Sequence, residues 1–493
     1  MLDRFKALPA PILLTVLLAL RLIAAARGGL VPDETYYWLW AQHPSFGYYD
    51  HPPMVAWWIG ASTTLFGSSA FAVRLPFVLS FVALGWVVYD ATKSLFDRDT
   101  ARRAVVWLNA CLLLSIGTVI ATPDPPSVLM WALGLWALAR LVASRSGLWW
   151  LAFGLFAGLG VEAKYTNLFL GVGVVLWVAL DRDARKWLRT PWPYLGAVVA
   201  VAAMAPNLLW NAQHHWLTID KQFGRIAPAG FTVKYLIEFL VSQPLLLNPL
   251  IFVFVVTGVL AWWKARGDRA LTLLVALPAP LVVYMLIHVF HDRIQGNWTA
   301  PLFPGLIVLA TASASGETSS KALNLCRQWA TGLGVALSGI ALFVLALGAQ
   351  APRLPGAASA GLGWDKLAQK IADIVHQTGA QWIATVDYDT EGELSYHLPK
   401  QTVTAFEERD RYAWPSTDAA HLTDTAIIVI PANRHPDLTQ CFDGLNDLGA
   451  VARSSHGGAR DDFHLYAGRL RTAGCQLTEP VSAAGTPAAP HAH

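Results

Sequence analysis

Between residues 9 and 348 the chain repeats, about eleven times, a run of roughly 16 to 22 predominantly apolar residues. A helix of about 20 such residues spans a hydrocarbon core of roughly 30 Å, and within lipid only helices or a closed barrel satisfy the backbone. The runs lack the period-two alternation of barrel strands, and many contain Gly and Ala, which let helices approach closely. With 55% hydrophobic and only 14% charged residues, the chain reads as a polytopic α-helical membrane protein. Spans are predicted near 9–27, 70–92, 103–121, 126–143, 148–163, 166–180, 192–207, 246–263, 270–288, 299–314 and 328–348. The first resembles a secretory signal, but Arg21 interrupts it and further spans follow, so it reads as an uncleaved helix.

Cations distribute unevenly between the connecting loops. Lys93, Arg98, Arg102, Arg103, Arg140, Arg145, Arg182, Arg185, Lys186, Arg189, Lys264, Arg266, Arg269, Lys321 and Arg327 fall on the side of Arg4 and Lys6. The positive-inside rule makes that side cytoplasmic. Asp33, Glu34, Asp50, Asp124, Glu162, Lys164, Arg225, Asp292 and Arg293 fall on the other. The net charge of +3 is accounted for by the inner loops and gives no reason to expect nucleic acid.

Residues 1–350 form the expected membrane domain, with long outer loops at about 28–69 and 208–245. Beyond a Pro- and Ala-containing linker, charge becomes common, and 356–475 reads as a small soluble α/β domain. Helical spacing at 364–378 and strands at 381–386, 425–430 and 463–470 support this. An odd number of spans places that domain outside. Residues 476–493, rich in Ala, Pro and His, are expected to be disordered. Cys441 and Cys475 either pair or remain free thiols; both options stay open.

The outer acids carry the functional reading. Acids at membrane depth are costly and mostly functional, and Asp33-Glu34 stands where the first helix leaves the bilayer. The pair suits either a helix N-terminal cap or a general base. Neighbouring helical residues point about 100° apart, so at most one of them faces a given substrate. Gly47-Tyr48-Tyr49-Asp50-His51-Pro52-Pro53 reads as a Pro-terminated turn with a second acid beside an imidazole. Asp124, within Thr122-Pro-Asp-Pro, suits an Asx turn or an orienting carboxylate. Glu162 and Lys164 are two residues apart and cannot pair within one helix. No Walker loop, dinucleotide fingerprint, HExxH or GxSxG elbow occurs, and no spacing is diagnostic of a metal. Neither a metal nor a cofactor is therefore expected.

Over about residues 1–310 the chain resembles the GT-C fold glycosyltransferases that use lipid-linked sugars. The similarity is to the bacterial group related to protein O-mannosyltransferases and the lipid A aminoarabinose transferase. Asp33-Glu34-Thr-Tyr-Tyr, Tyr48-Tyr49-Asp50-His51-Pro52-Pro53, Thr122-Pro-Asp124, Ala163-Lys164-Tyr165-Thr166 and Gly296-Asn297-Trp298-Thr-Ala-Pro301 carry it, in that order. The resemblance implies transfer of a sugar from a polyprenyl-phosphate donor to a hydroxyl of a periplasmic glycolipid or glycan such as lipid A. It makes Asp33 the catalytic base and Asp124 the second active-site carboxylate, with Glu34 beside them. Tyr37, Tyr48, Asp50, His51, Lys164 and Arg225 are the expected substrate and donor-phosphate contacts. Tyr36 stands where the aminoarabinose transferases commonly have Arg, and His51 where they have Lys, which points away from aminoarabinose; the Tyr48-Tyr49-Asp50-His51-Pro52-Pro53 version is closer to uncharacterised members of the family and to the lipopolysaccharide-modifying hexuronic acid transferases. The implied location is the bacterial inner membrane, with the site and the C-terminal domain periplasmic. The competing readings are a transporter or lipid flippase, which calls for charges in mid-span, and a scaffold carrying a binding domain, which leaves the outer acids unexplained.

Overall fold

The computed structural model describes residues 10–224, 230–265, 267–316, 319–348, 360–407, 411–412, 424–455 and 458–471. They divide into two compact units. One combines residues 1–28 with 44–351, and the other combines Gly29–His43 with the segment from Pro352 onward.

Among the described residues of the first unit, seven helices are long and apolar enough to cross a membrane. They are Ala10–Arg27, Ala70–Leu95, Asp124–Ser144, Trp192–Gln213, Arg269–His288, Gly296–Ser315 and Lys321–Leu347. Leu236–Leu247 and Pro249–Lys264 make an eighth if taken as one span, broken by a bend of 103°. Asn248 sits at that break with φ +118°, where Asn is among the residues that tolerate positive φ. Its side-chain Oδ1 accepts from the N–H groups of Leu250 and Ile251, and its Nδ2 donates to the Ala330 carbonyl at 2.9 Å. The apolar run at 103–121 is not one helix. It divides into Arg98–Asn109 and Leu112–Gly117 around an extended Cys111. Leu148–Ala163, at 16 residues, extends only ~24 Å, short of a perpendicular crossing.

Small residues set how these helices meet. Gly154 and Gly158 lie one turn apart, and a Cβ added to either falls 2.0 Å from the Gly196 carbonyl oxygen or 2.4 Å from that of Ala200. Leu148–Ala163 and Trp192–Gln213 therefore run side by side at near backbone contact, as small residues permit between membrane helices. Continuing the two faces by one or two turns brings Glu162 to Asn207. At the other end of the unit, Arg103 donates to Ser315 at 2.8 Å, Arg327 to the Ala314 carbonyl at 3.0 Å, and Arg269 lies 3.6 Å from Asp181. Loops grouped together by their cations thus share one end of the bundle.

The second unit is a five-stranded sheet in the order β2-β1-β3-β5-β4. Its strands are β1 (Trp382–Thr385), β2 (Thr402–Ala405), β3 (Thr425–Pro431), β4 (Phe442–Ser455) and β5 (Gly458–Leu470). β1 pairs in parallel with β2 and β3, while β5 runs antiparallel to β3 and β4. Ile427 and Val429 pack with Trp364, Leu367 and Ile371 of the helix Trp364–Thr378, whereas Ile428 and Ile430 pack on the opposite face with Trp382 and Phe442. Burial of both faces explains why β3 reads as an unbroken apolar run. β4 was not anticipated: three register irregularities interrupt its pairing, so its sequence lacks clean alternation. A helix at Tyr388–His397 was not anticipated either, and Asp387 caps it by accepting from the Thr390 N–H at 2.8 Å. Cys441 is disulfide-bonded, Cys111 and Cys326 are free thiols, and Cys475 lies outside the described residues.

Candidate active site

The Asp33-Glu34 pair opens the helix Pro32–Gln42, which packs within the unit that holds the C-terminal domain. Pro32 occupies the first helical position, where its fixed φ suits the helix and its missing N–H costs nothing. Glu34 is fully buried and its Oε2 accepts from the Val31 N–H at 2.9 Å. This hydrogen bond gives Glu34 a capping role at the start of the helix. Asp33, one residue earlier, is exposed. Glu34 thus turns back onto the start of the helix, about 100° round from Asp33. Tyr37 is buried, with its ring edge-on to Trp40 at 5.0 Å.

Beside this helix lies Tyr388–His397. Three acids on and beside it, Asp387, Glu391 and Glu393, are buried. Burial pushes the Asp389 carboxyl up to about 7, reinforced by Asp387 and Asp33 and opposed by Arg411. Burial likewise raises Glu391 to about 8, against hydrogen bonds from Tyr412 and the Ala405 backbone. Asp33 therefore stands within electrostatic reach of a second carboxyl from the C-terminal domain.

A separate constellation forms at one end of the membrane unit. Lys164 follows the helix Leu148–Ala163 in extended conformation, and its Nζ donates to Asp124 Oδ1 at 2.7 Å. Asp124 begins the helix Asp124–Ser144, and its Oδ2 accepts from Asn297 Nδ2 at 2.7 Å. Both side chains of the ion pair are mostly buried, at 12% and 13% exposure. With both oxygens engaged, Asp124 is suited to hold Lys164 in place, and the ammonium keeps further N–H donors for an anion. Asn297 belongs to this set, yet nothing in its local sequence marks it as more than part of a motif.

Tyr48 and Asp50 belong to a loop tied to the same end. The Tyr48 carbonyl accepts from Thr218 Oγ1 at 2.6 Å, the Asp50 carbonyl accepts from Gln222, and Asn207 Nδ2 donates to the Phe46 carbonyl at 3.0 Å. Gly47 is needed where the loop crosses Trp210, since a Cβ there falls 2.4 Å from the indole. Asn207 also donates its N–H to Glu162 at 3.2 Å and accepts from the Tyr165 hydroxyl at 2.7 Å. The Tyr48 ring is buried and its hydroxyl accepts from the Ser45 N–H at 3.0 Å, which braces the loop. Burial raises that phenol. Asp50 is largely buried and His51 partly so. Arg225 lies outside the described residues. Among the described residues, no group of three or more His, Cys, Asp or Glu is arranged to hold a metal ion.

Residues 50–210 match the family model described as dolichyl-phosphate-mannose-protein mannosyltransferase. The lipid A galacturonosyltransferase RgtD of Rhizobium johnstonii is 27% identical over 381 residues, covering 74% of this chain and 77% of that protein. An undecaprenyl phosphate-alpha-4-amino-4-deoxy-L-arabinose arabinosyl transferase of Proteus mirabilis is 26% identical, with 38% of each chain covered. The crystal structure of ArnT from Cupriavidus metallidurans in the apo state superposes with a TM-score of 0.66 at 15% identity, over 95% of this chain and 98% of that one. The same protein bound to undecaprenyl phosphate gives 0.62 at 14% identity, over 93% and 97%. Fold and relatives together make this chain a membrane glycosyltransferase of the GT-C type, related to the transferases that draw sugar from a polyprenyl phosphate.

Proposed function

We propose that the chain moves a sugar from a polyprenyl-phosphate donor to a hydroxyl of lipid A or another lipopolysaccharide glycan, at the periplasmic face of a bacterial inner membrane. The observation that carries this reading is the Lys164 ammonium, held at 2.7 Å by an Asp124 whose other oxygen is bound by Asn297. A fixed, mostly buried cation at the end of a membrane bundle suits the phosphate of a lipid-linked donor. Asp33 acts as base. The acceptor oxygen forms its bond to the anomeric carbon as the bond from that carbon to the phosphate oxygen breaks. The electron pair leaves with the polyprenyl phosphate, and the hydroxyl proton passes to Asp33. One displacement inverts the anomeric centre. Stabilising the departing phosphate is the task of Lys164, with His51 beside the same loop as a second candidate.

The periplasmic assignment rests on the positive-inside distribution of Arg and Lys. No nucleotide sugars are available on that side, which is the physical reason to expect a lipid-linked donor. The similarity to a lipid A galacturonosyltransferase extends over about three quarters of both chains, whereas that to the arabinosyl transferase spans under half. A hexuronate donor is therefore the first to test. Mass spectrometry of lipid A and core glycans from a deletion strain should show loss of one hexuronate, about 176 Da, restored by the wild-type gene. Unaltered lipid A and core glycans would reject the acceptor reading.

A further inference from the structure

We infer that the C-terminal domain is part of the catalytic apparatus: its helix Tyr388–His397 positions Asp33, with Gly392 and Tyr388 as positioning residues. This rests on the reading of Asp33 as the base. The helix Pro32–Gln42 has 11 residues, too few to hold its own orientation in isolation, so whatever it packs against sets where Asp33 points.

Three observations identify that support. Gly392 lies against the first turns of the Asp33 helix; a Cβ added there falls 2.9 Å from the Tyr36 nitrogen, 3.0 Å from Thr35 Oγ1 and 3.1 Å from the Thr35 carbonyl carbon. Backbone cannot yield as a side chain does, so the two helices are in register only while position 392 lacks a side chain. Rings lock the same interface on either side. Tyr36 packs on Tyr388 at 4.8 Å, Trp38 meets Tyr396 edge-on at 5.1 Å, and the Arg411 guanidinium lies 4.5 Å from the Tyr388 ring centroid and 5.9 Å from that of Tyr36. The chain entering the Asp33 helix is clasped as well. A Cβ on Gly29 falls 2.2 Å from the Gly361 carbonyl oxygen, and one on Gly361 falls 2.2 Å from that of Leu30. Thr35 and Tyr36 are buried in the interface while Asp33 stays exposed, so the docked face and the working face are distinct.

Such an arrangement acts on orientation. A displacement of about 1 Å at a reacting group costs on the order of 10²-fold in rate. The test uses full-length protein in detergent with undecaprenyl-phosphate galacturonate as donor and lipid A as acceptor. Binding of undecaprenyl phosphate is measured in parallel. Gly392→Ala and Tyr388→Ala are expected to lower kcat about 100-fold, with the donor KM and the binding of undecaprenyl phosphate within about twofold of wild type. Tyr388→Phe, which keeps the ring, should retain kcat. Wild-type kcat in both Gly392→Ala and Tyr388→Ala, with Asp33→Asn inactive, overturns the positioning role and leaves the base intact. Near-normal turnover by Asp33→Asn removes the base assignment itself. A loss confined to KM, or a Tyr388→Phe as impaired as Tyr388→Ala, also overturns the inference. Should Gly392→Ala fail to insert, the two Tyr388 variants decide the question.

Discussion

The Asp124–Lys164 pair of the membrane unit and the acids of the helix Tyr388–His397 in the C-terminal unit handle buried charge in opposite ways. In the former, Asp124 faces an ammonium at 2.7 Å and an amide at 2.7 Å, so both charges of the pair are matched where they stand. In the latter, Asp387, Asp389, Glu391 and Glu393 crowd along one short helix beside aromatic rings, and burial holds Asp389 and Glu391 well above the usual carboxylate range. The first arrangement keeps an ion ready to meet another ion. The second keeps protons on acids and builds an interior around them. Asp33 belongs to the second unit and is exposed, whereas Asp387, Glu391 and Glu393 are buried.

Breaking the matched pair should have the larger consequence. Lys164→Met leaves Asp124 largely buried without its counter-charge, a loss of about 3 kcal/mol or more, and removes the cation proposed to meet the donor phosphate. Turnover is expected to fall on the order of 10²- to 10³-fold, with Asp124→Asn close behind and the double variant far from additive. Steady-state kinetics of the three variants checks this; additive losses would show that the two residues act separately.

The unmatched acids make a prediction about pH. Asp389 and Glu391 have folded-state values raised to about 7 and about 8, above those of an unfolded chain. Their contribution to stability is fully present below about pH 4 and is lost as pH rises through 7 to 8. Hydrogen exchange of β1 and β3 in the full-length protein should therefore quicken across that range. Glu391→Gln should flatten the dependence by on the order of 1 kcal/mol. An equally steep dependence in the variant would assign it to other groups.

The smallest effect separates the adjacent acids. Glu34→Gln retains an acceptor for the Val31 N–H and is expected to cost roughly 0.5 kcal/mol of stability, with turnover within about threefold of wild type. A loss of turnover comparable to that at Asp33 would refute the capping role.

Much of this was legible in the sequence, and the reasons for the remainder are physical. Apolar runs of membrane length announced the bundle, but not that Cys111 would divide one run or Asn248 bend another, since both depend on single backbone conformations. The angular argument allows at most one of Asp33 and Glu34 to face a given substrate, without saying which. Asp124 and Lys164 each stood out, but their pairing joins residues 40 apart, and Asn297 comes from 173 residues further along the chain than Asp124. The helix Tyr388–His397 was hidden because Asp-Thr-Glu-Gly-Glu reads as a solvated turn. Its internal Gly392, unfavourable for a helix by about 1 kcal/mol, makes sense only once the Asp33 helix lies against it.

The most direct test of the account is the Asp33→Asn chain, purified at full length and assayed for transfer from undecaprenyl-phosphate galacturonate to lipid A alongside its affinity for undecaprenyl phosphate. The account predicts transfer reduced by about 10³-fold or more, with affinity within about twofold of wild type. Near-normal transfer by that variant would contradict it.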